Sequence, residues 1–144
     1  MDTSTRQRWL SALANSPIER LLALLPPALP ADPRWLRRAE TGLMMLQGRS
    51  GGAGARFNLG EISVSRASCE IDGHVGHGWV CGSDGRHAKL IAQADALLQD
   101  PARHGELMLA WIAPLENELA ERRAARSREA ASSKVEFFTM VRGE

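Results

Sequence analysis

The stretch RSGGAGARF at 49–57 places three glycines within four positions, between Arg49 and Arg56. The glycines are Gly51, Gly52 and Gly54. Apolar runs with strand character lie on both sides, so the stretch predicts the loop of a β-hairpin. Glycine adopts positive φ readily, and such loops can turn backbone N–H groups towards an anion, which two arginine forks can then bind. The alternative is an ordinary hairpin loop whose arginines are solvated.

Length and charge limit what the chain can be. Its 144 residues predict a single domain over 1–144. A net charge of +1 gives no field that favours nucleic acid or an anionic membrane. The longest apolar segment, 21–29, is too short to span a bilayer, and no secretory signal is apparent. With two cysteines, we expect a cytoplasmic protein with reduced thiols.

The first half of the chain predicts helices followed by strands. A helix capped by Thr3 or Ser4 runs to about Asn15, and a second begins at Pro17 and ends at the prolines after Leu25. Past Pro33 the apolar period changes. Strands are expected over 35–40 and 43–47, separated by a turn at 41–42, with a single helix over 33–47 as the competing interpretation.

The second half continues the sheet and then returns to helices. Alternation over 60–71 predicts a strand with a β-bulge at 65–66, where the parity of the apolar residues changes. Asp72-Gly73 predicts a tight turn into a return strand over 75–81, and a helix follows over 84–99.

Further helices are expected after Asp100, with a kink or break at Pro114 and a strand at 107–112 as an alternative. A helix over 116–131 should end at 132–133, before a last strand over 134–141. The predicted fold class is therefore α+β: a largely antiparallel sheet, N-terminal helices, a helix pair after the sheet and a C-terminal strand.

Four potential zinc ligands lie close together in the sequence: Cys69, His74, His77 and Cys81. If Asp72-Gly73 forms a two-residue turn, alternation places the first two on one face of the sheet and the last two on the other. Two ligands on each side do not make one tetrahedral site. We therefore predict no metal site and a packed, reduced pair of cysteines.

Two further residues are candidates for anion binding. His87 lies in the first turn of a helix, where an imidazole can assist an anion, although a surface histidine is the plainer interpretation. Arg66 lies opposite Trp79 in the expected register, where it can stack on the indole ring or reach a bound phosphate. No Ser/His/Asp set and no Walker loop is apparent, so the residues alone name no reaction.

Several segments together resemble the PhnG family, small subunits of the bacterial carbon–phosphorus lyase core complex. They are RAETGL at 38–43, the 49–57 loop, SRA at 65–67, GRHA at 85–88 and VEFFTMVRG at 135–143. The last of these is the most specific.

The resemblance implies a role in phosphonate catabolism. In that pathway a phosphonate replaces adenine at the ribose C1′ of ATP, and a radical-SAM iron–sulfur subunit later cleaves the carbon–phosphorus bond. The resemblance implies no cofactor in this subunit, ATP and a phosphonate as substrates of the complex, and a hetero-oligomer with two-fold symmetry. Its partners would be the other core subunits, above all a nucleosidase-like one. No catalytic residue is carried over, and a non-catalytic subunit of an enzyme complex is favoured.

The apolar C-terminal segment suggests where a partner binds. The candidate interface residues are Phe137, Phe138, Met140, Val141 and Arg142. A tail with apolar side chains on both faces is hard to leave exposed, so we expect it to bury against the nucleosidase-like subunit by strand addition or swapping. A stand-alone enzyme acting on anionic nucleotides and a scaffold with no ligand contact remain the alternatives.

Overall fold

The protein is described by a computed structural model that covers residues 2–52 and 54–142, with side chains up to residue 133. Its elements are α1 (Thr3–Asn15), α2 (Ile18–Leu24), a 3₁₀ turn (Pro26–Ala28), β1 (Arg34–Arg49), β2 (Arg56–Ile71), β3 (His74–Cys81), α3 (Gly85–Leu98), α4 (Pro101–Leu107), a π-helical segment (Met108–Ile112) and α5 (Ala113–Arg142). The strands form one antiparallel sheet in the order β1-β2-β3. The predicted α+β class is confirmed.

The two N-terminal helices occupy the predicted segments, with different caps. Asp2, rather than Thr3 or Ser4, caps α1 by accepting a hydrogen bond from the backbone N–H of Ser4. Pro17 is the N-cap of α2 instead of its first helical residue. An aspartate is among the best N-cap residues, and Asp2 directly precedes the first turn of the helix.

β1 is one long strand, so the predicted turn at 41–42 is wrong. Thr41 pairs with Ser65 and Gly42 with Val64 without a break, and the two hydroxyl oxygens of Thr41 and Ser65 lie 2.9 Å apart. The partner strand continues past this point and keeps the chain extended. The competing helix over 33–47 is excluded by the same pairing.

The predicted β-bulge at 65–66 is also misplaced. β2 pairs with β3 in unbroken register from Val64 to Ile71. The irregularity nearest to these residues lies on β1, where Arg37 pairs with Ser68 and Glu40 with Arg66, so that β1 carries the extra residue there. A further shift, between Leu46 and Gln47, places an extra residue on β2. The change of parity in β2 marks apolar residues on opposite faces of one continuous strand.

The β2–β3 turn and α3 follow the sequence closely. Asp72 and Gly73 have φ angles of 49° and 81°, the two positive values that a type I′ hairpin turn requires. Asp84 caps α3 by accepting a hydrogen bond from the backbone N–H of His87. The apolar residues that recur at helical spacing along α3 are all buried: Ala88, Ile91, Ala94 and Leu98.

Helix α3 packs unusually close to β3. A Cβ atom added at Gly76 would lie 1.9 Å from the backbone oxygen of Ala92, and one added at Gly78 would lie 2.0 Å from that of Ala88. Glycine in the strand facing alanine in the helix lets the two backbones approach. The remaining core is formed around this contact by α1, α2, the π-helical segment and the start of α5.

Side chains occupy part of the outer edge of β3. The backbone N–H of His77 donates to Asp95 at 2.9 Å. The carbonyl oxygen of Val75 accepts from Gln99 at 2.7 Å and from Arg6 at 3.4 Å. Two backbone groups that would otherwise be free to pair with another strand are thus occupied.

Residues 107–112 are helical, which excludes the alternative strand. Around Pro114 the chain neither breaks nor ends. The π-helical segment precedes it, and the N–H of Ala113 bonds to the carbonyl of Met108, five residues earlier. Proline lacks an N–H donor and its ring crowds the preceding turn, and a local π-bulge accommodates such a site.

The predicted last strand over 134–141 is not present, because the backbone stays helical through Arg142. No glycine or proline occurs between 115 and 142, and the preceding residues are strong helix formers. An established helix therefore propagates through Ser132 and Ser133 rather than ending there. Within the described part of the chain, no helix combines the length and apolar character needed to cross a lipid bilayer.

Candidate functional site

The hairpin of β1 and β2 extends well beyond the third strand. The last pair that involves β3 is Val64 with Cys81. From there β1 and β2 continue as a two-stranded ribbon as far as the paired residues Arg49 and Arg56. We call residues 43–63 the arm. At about 3.3 Å per residue, its strands reach roughly 20 Å past β3.

The predicted glycine loop closes this arm. Arg49 and Arg56 are direct cross-strand partners, and the backbone N–H of Ser50 donates to the carbonyl of Ala55 at 3.4 Å. Gly51 has a φ of 77°, and a Cβ added at Gly54 would lie 1.7 Å from the oxygen of Ser50. The loop conformation thus requires glycine at both positions.

Apolar side chains cover both faces of the arm. Six large ones, each between 43% and 69% exposed, are Leu43, Met44, Met45, Leu46, Phe57 and Leu59. Consecutive residues of β1 point to opposite faces, so a run of four apolar residues leaves neither face polar. Soluble monomers rarely expose a contiguous apolar surface of this kind, so the arm is a candidate surface for a partner.

Arg66 lies at the base of the arm in a separate cluster. Its guanidinium carbon is 5.7 Å from the centroid of the Trp79 ring, and its Nε donates to Glu40 at 2.7 Å. Arg37 also donates to Glu40, at 2.6 Å. Hydrogen bonds from Arg37 and then from Arg66 lower the pKa of the Glu40 carboxyl. The cation–π pair predicted from the register is confirmed.

A shallow pocket of about 390 Å³ opens beside this cluster. Its lining combines the Glu40–Arg66 ion pair and the Trp79 ring with apolar residues at the base of the arm. Because Glu40 already accepts from Arg37 and from Nε of Arg66, an anion at this point would compete with that carboxylate for Arg66. The three residues form a structural ion-pair network, and anion binding by Arg66 stays a prediction.

His87 is buried. Its ring Nε2 lies 3.2 Å from the carbonyl oxygen of Leu13, so the imidazole joins α3 to α1. It faces neither the arm nor Arg66. Arg56 and Arg66 are themselves ten positions apart on one strand, which corresponds to roughly 30 Å. The predicted anion-binding residues thus lie in three places, and only Arg49, Arg56 and the loop glycines are brought together.

The two cysteines and two histidines that resemble zinc ligands are divided between the two faces of the sheet, as the alternation predicts. His77 pairs with Ser68 and Cys81 with Val64 on one face, while Cys69 and His74 belong to the other. Among the described residues, no three His, Cys, Asp or Glu side chains converge to hold a metal ion. The candidate interface side chains at 137–142 lie outside the described side chains, so they stay a prediction.

The sequence reasoning missed the main buried polar site. Asp95 is fully buried on α3, and its carboxylate accepts hydrogen bonds from Trp9 Nε1 at 2.8 Å and from Arg6 Nη2 at 2.7 Å. Burial and then the charge of Asp95 raise the pKa of the neighbouring Cys69 thiol to about 11. The sequence signal that could have revealed this site is an aspartate within the apolar stripe of α3. A buried carboxylate needs such partners, and these tie α1 and β3 to α3.

Comparisons with known proteins identify the family of the chain. The sequence matches the family described as "Phosphonate metabolism protein PhnG" over residues 4–143. It is also similar to the alpha-D-ribose 1-methylphosphonate 5-triphosphate synthase subunit PhnG of Rhizobium meliloti (strain 1021). The two are 45% identical over 114 residues, which cover 76% of this chain and 70% of the relative.

Proposed function

The chain belongs to the PhnG family of phosphonate metabolism proteins, and on that premise we propose that it is a subunit of a ribose 1-phosphonate 5-triphosphate synthase. In the proposed reaction of the complex, a phosphonate oxygen takes the place of the adenine nitrogen at the ribose C1′ of ATP, and adenine leaves. The observation that carries this proposal is the family match over residues 4–143.

The role we propose for this subunit is to organise a nucleosidase-like partner. The exposed apolar arm supports this, since contacts that hold obligate complexes are usually large and apolar. β1 is also an edge strand of the sheet, and an edge offers free backbone groups to a strand from another chain. The partner would cover the faces of the arm and extend the sheet beyond β1.

The C-terminal segment is a second proposed contact. Its backbone continues α5, so strand addition through this segment is replaced by a helix that contacts the partner. Phe137, Phe138, Met140, Val141 and Arg142 remain the candidate residues. Deleting 137–144 should reduce co-purification of the other subunits, whereas unchanged assembly would show that this segment is dispensable.

A stand-alone enzyme is the competing function. It predicts that the purified chain releases adenine from ATP and methylphosphonate without partners. We expect no turnover from the lone chain, because its conspicuous surfaces are an apolar ribbon and paired arginines rather than an assembled nucleophile and base.

The deciding experiment is reconstitution of the complex with and without this chain. Adenine release from ATP and methylphosphonate is followed by chromatography, with every other subunit held at the same concentration. We expect release only when this chain is present. Equal release without it would overturn the proposal, as would full release by this chain alone.

A further inference from the structure

The tip of the arm carries two like charges in direct opposition. Arg49 and Arg56 are cross-strand partners, so their Cβ atoms lie about 4.5–5.5 Å apart on one face of the ribbon. Both are exposed. Like charges placed opposite each other destabilise a strand pair, and nothing in the hairpin loop requires arginine at these positions.

The one carboxylate of the arm, Glu61, pairs across the ribbon with Met45, five positions along β2 from Arg56, so it does not offset these charges. Between Glu40 and Glu61 the sequence has no acidic residue. In the part of the chain that the structure describes, the ion pairs involve other residues, and neither Arg49 nor Arg56 takes part in one. The arginines at the base of the arm do have a carboxylate partner, because Arg37 and Arg66 share Glu40.

The loop between the arginines leaves its backbone open. Gly51 and Gly52 have no atom of the chain within 4 Å of an added Cβ, so a ligand can approach the main chain there. Gly51 at positive φ turns the chain sharply. Such glycine turns are used elsewhere to present backbone N–H groups to anions.

We propose that Arg49 and Arg56 form a clamp for phosphoryl oxygens of the nucleotide substrate, carried by the arm into the active site of the partner subunit. This inference rests on the proposed function. The apolar shaft would be buried in the partner, and the cationic tip would reach roughly 20 Å beyond the sheet of this subunit. A guanidinium fork binds two oxygens of a phosphate at once, and two opposed forks match the several oxygens of a triphosphate.

Two variants test the clamp in the reconstituted complex: Arg49→Gln with Arg56→Gln, and Arg49→Lys with Arg56→Lys. The glutamine variant should assemble normally and raise the KM for ATP at least tenfold, because the phosphate contacts are lost. The lysine variant should recover part of this effect by keeping the charge without the fork. Arg34→Gln, an exposed arginine at the far end of β1, is the matched control and should leave the KM unchanged.

Inhibition by tripolyphosphate tells whether the clamp binds oxygens of the ATP triphosphate or of the phosphonate. Tripolyphosphate should inhibit the wild-type complex competitively with ATP, and the glutamine variant should lose this inhibition. If the KM rises for methylphosphonate alone and tripolyphosphate inhibition is unchanged, the clamp does not bind the triphosphate and the proposal is overturned.

The remaining outcomes are also distinct. If the glutamine variant fails to assemble while Arg34→Gln assembles, the arginines pair with carboxylates of the partner, and the nucleotide clamp is rejected. If it assembles with unaltered kinetics, the clamp is rejected and the subunit role survives. If even the wild-type chain adds no adenine release, the proposed function itself fails.

Discussion

The indole N–H of Trp9 donates a hydrogen bond of 2.8 Å to the carboxylate of Asp95, which lies 86 positions later in the chain. The same carboxylate accepts from Arg6 and from the backbone N–H of His77. One buried side chain thereby joins α1, α3 and β3. A buried charge is tolerated only when it is paired and fully hydrogen-bonded, and Asp95 meets that condition through three different elements.

Asp95→Ala should destabilise the protein by about 3 kcal/mol, because it leaves Arg6, Trp9 and the β3 edge without their common acceptor. The free energy of unfolding in urea measures the loss. Glu116→Ala is the matched control. It removes a bidentate but exposed ion pair with Arg8, and we expect a change below about 1 kcal/mol. Equal losses in the two variants would contradict the central role of Asp95.

Gly78→Ala should destabilise the fold by about 1–3 kcal/mol, since the new methyl group meets the backbone of α3 and the helix must move away. Gly42→Ala provides a strand glycine of opposite character, because nothing lies within 4 Å of its added Cβ. We expect that variant to be neutral or slightly stabilising. Thermal unfolding of the two variants side by side tests the close approach of β3 and α3.

The two cysteines should differ sharply in reactivity. Cys81 is exposed and Cys69 is buried with its pKa raised to about 11. Iodoacetamide near neutral pH should therefore modify Cys81 promptly and Cys69 only after unfolding. Mass spectrometry of the intact protein measures the number of modified thiols. Prompt loss of both thiols would show that the core around Cys69 opens readily.

The raised pKa of Cys69 also predicts how stability changes in alkali. The thiol ionises more easily in the unfolded chain, so its contribution is complete below the ordinary pKa of 9.0 and is lost as the pH rises towards 11. Urea unfolding measured between pH 9 and pH 11 should show that the free energy of unfolding decreases as the pH rises. This decrease should be smaller in the Cys69→Ala variant and unchanged in the Cys81→Ala variant. The chain has no tyrosine, which removes one other group that would titrate in this range.

Polar substitutions on the arm should weaken assembly without unfolding the protein. Leu43→Ser together with Leu59→Ser removes two large apolar side chains that the chain itself scarcely covers. We expect little change in thermal stability but clearly lower recovery of the other subunits in co-purification. Leu109→Ser is the control, since Leu109 is equally apolar, 76% exposed and remote in sequence from the arm. A loss of partners in the control variant alone would place the interface elsewhere.

Local chemistry made the second half of the sheet and α3 predictable. Asp72-Gly73 admits few conformations besides a tight turn, and the apolar positions of α3 repeat with one period from Ala88 to Leu98. The break expected at Thr41-Gly42 failed because pairing with Ser65 and Val64, distant in sequence, overrides a local turn signal. At 134–141 the residues suit either a strand or a helix, and the helix that precedes them decided the outcome.

The site was predictable only in part, for a similar reason. Arg49 and Arg56 are close because a short loop connects them, and the sequence shows that loop directly. The separation of Arg66 from this loop depends on the length of a strand whose ends were misjudged. The burial of His87 depends on where α1 packs against α3, a contact between segments more than seventy residues apart.

The partly occupied edge of β3 has a consequence for how copies of this chain can associate. Growth of a fibre by edge-to-edge addition requires every molecule to offer two open strands, one to receive and one to donate. Here Asp95, Gln99 and Arg6 occupy backbone groups of Val75 and His77 on one of the two, which disfavours strand addition there. Two copies joined only through their β1 edges would form a closed pair rather than a growing fibre.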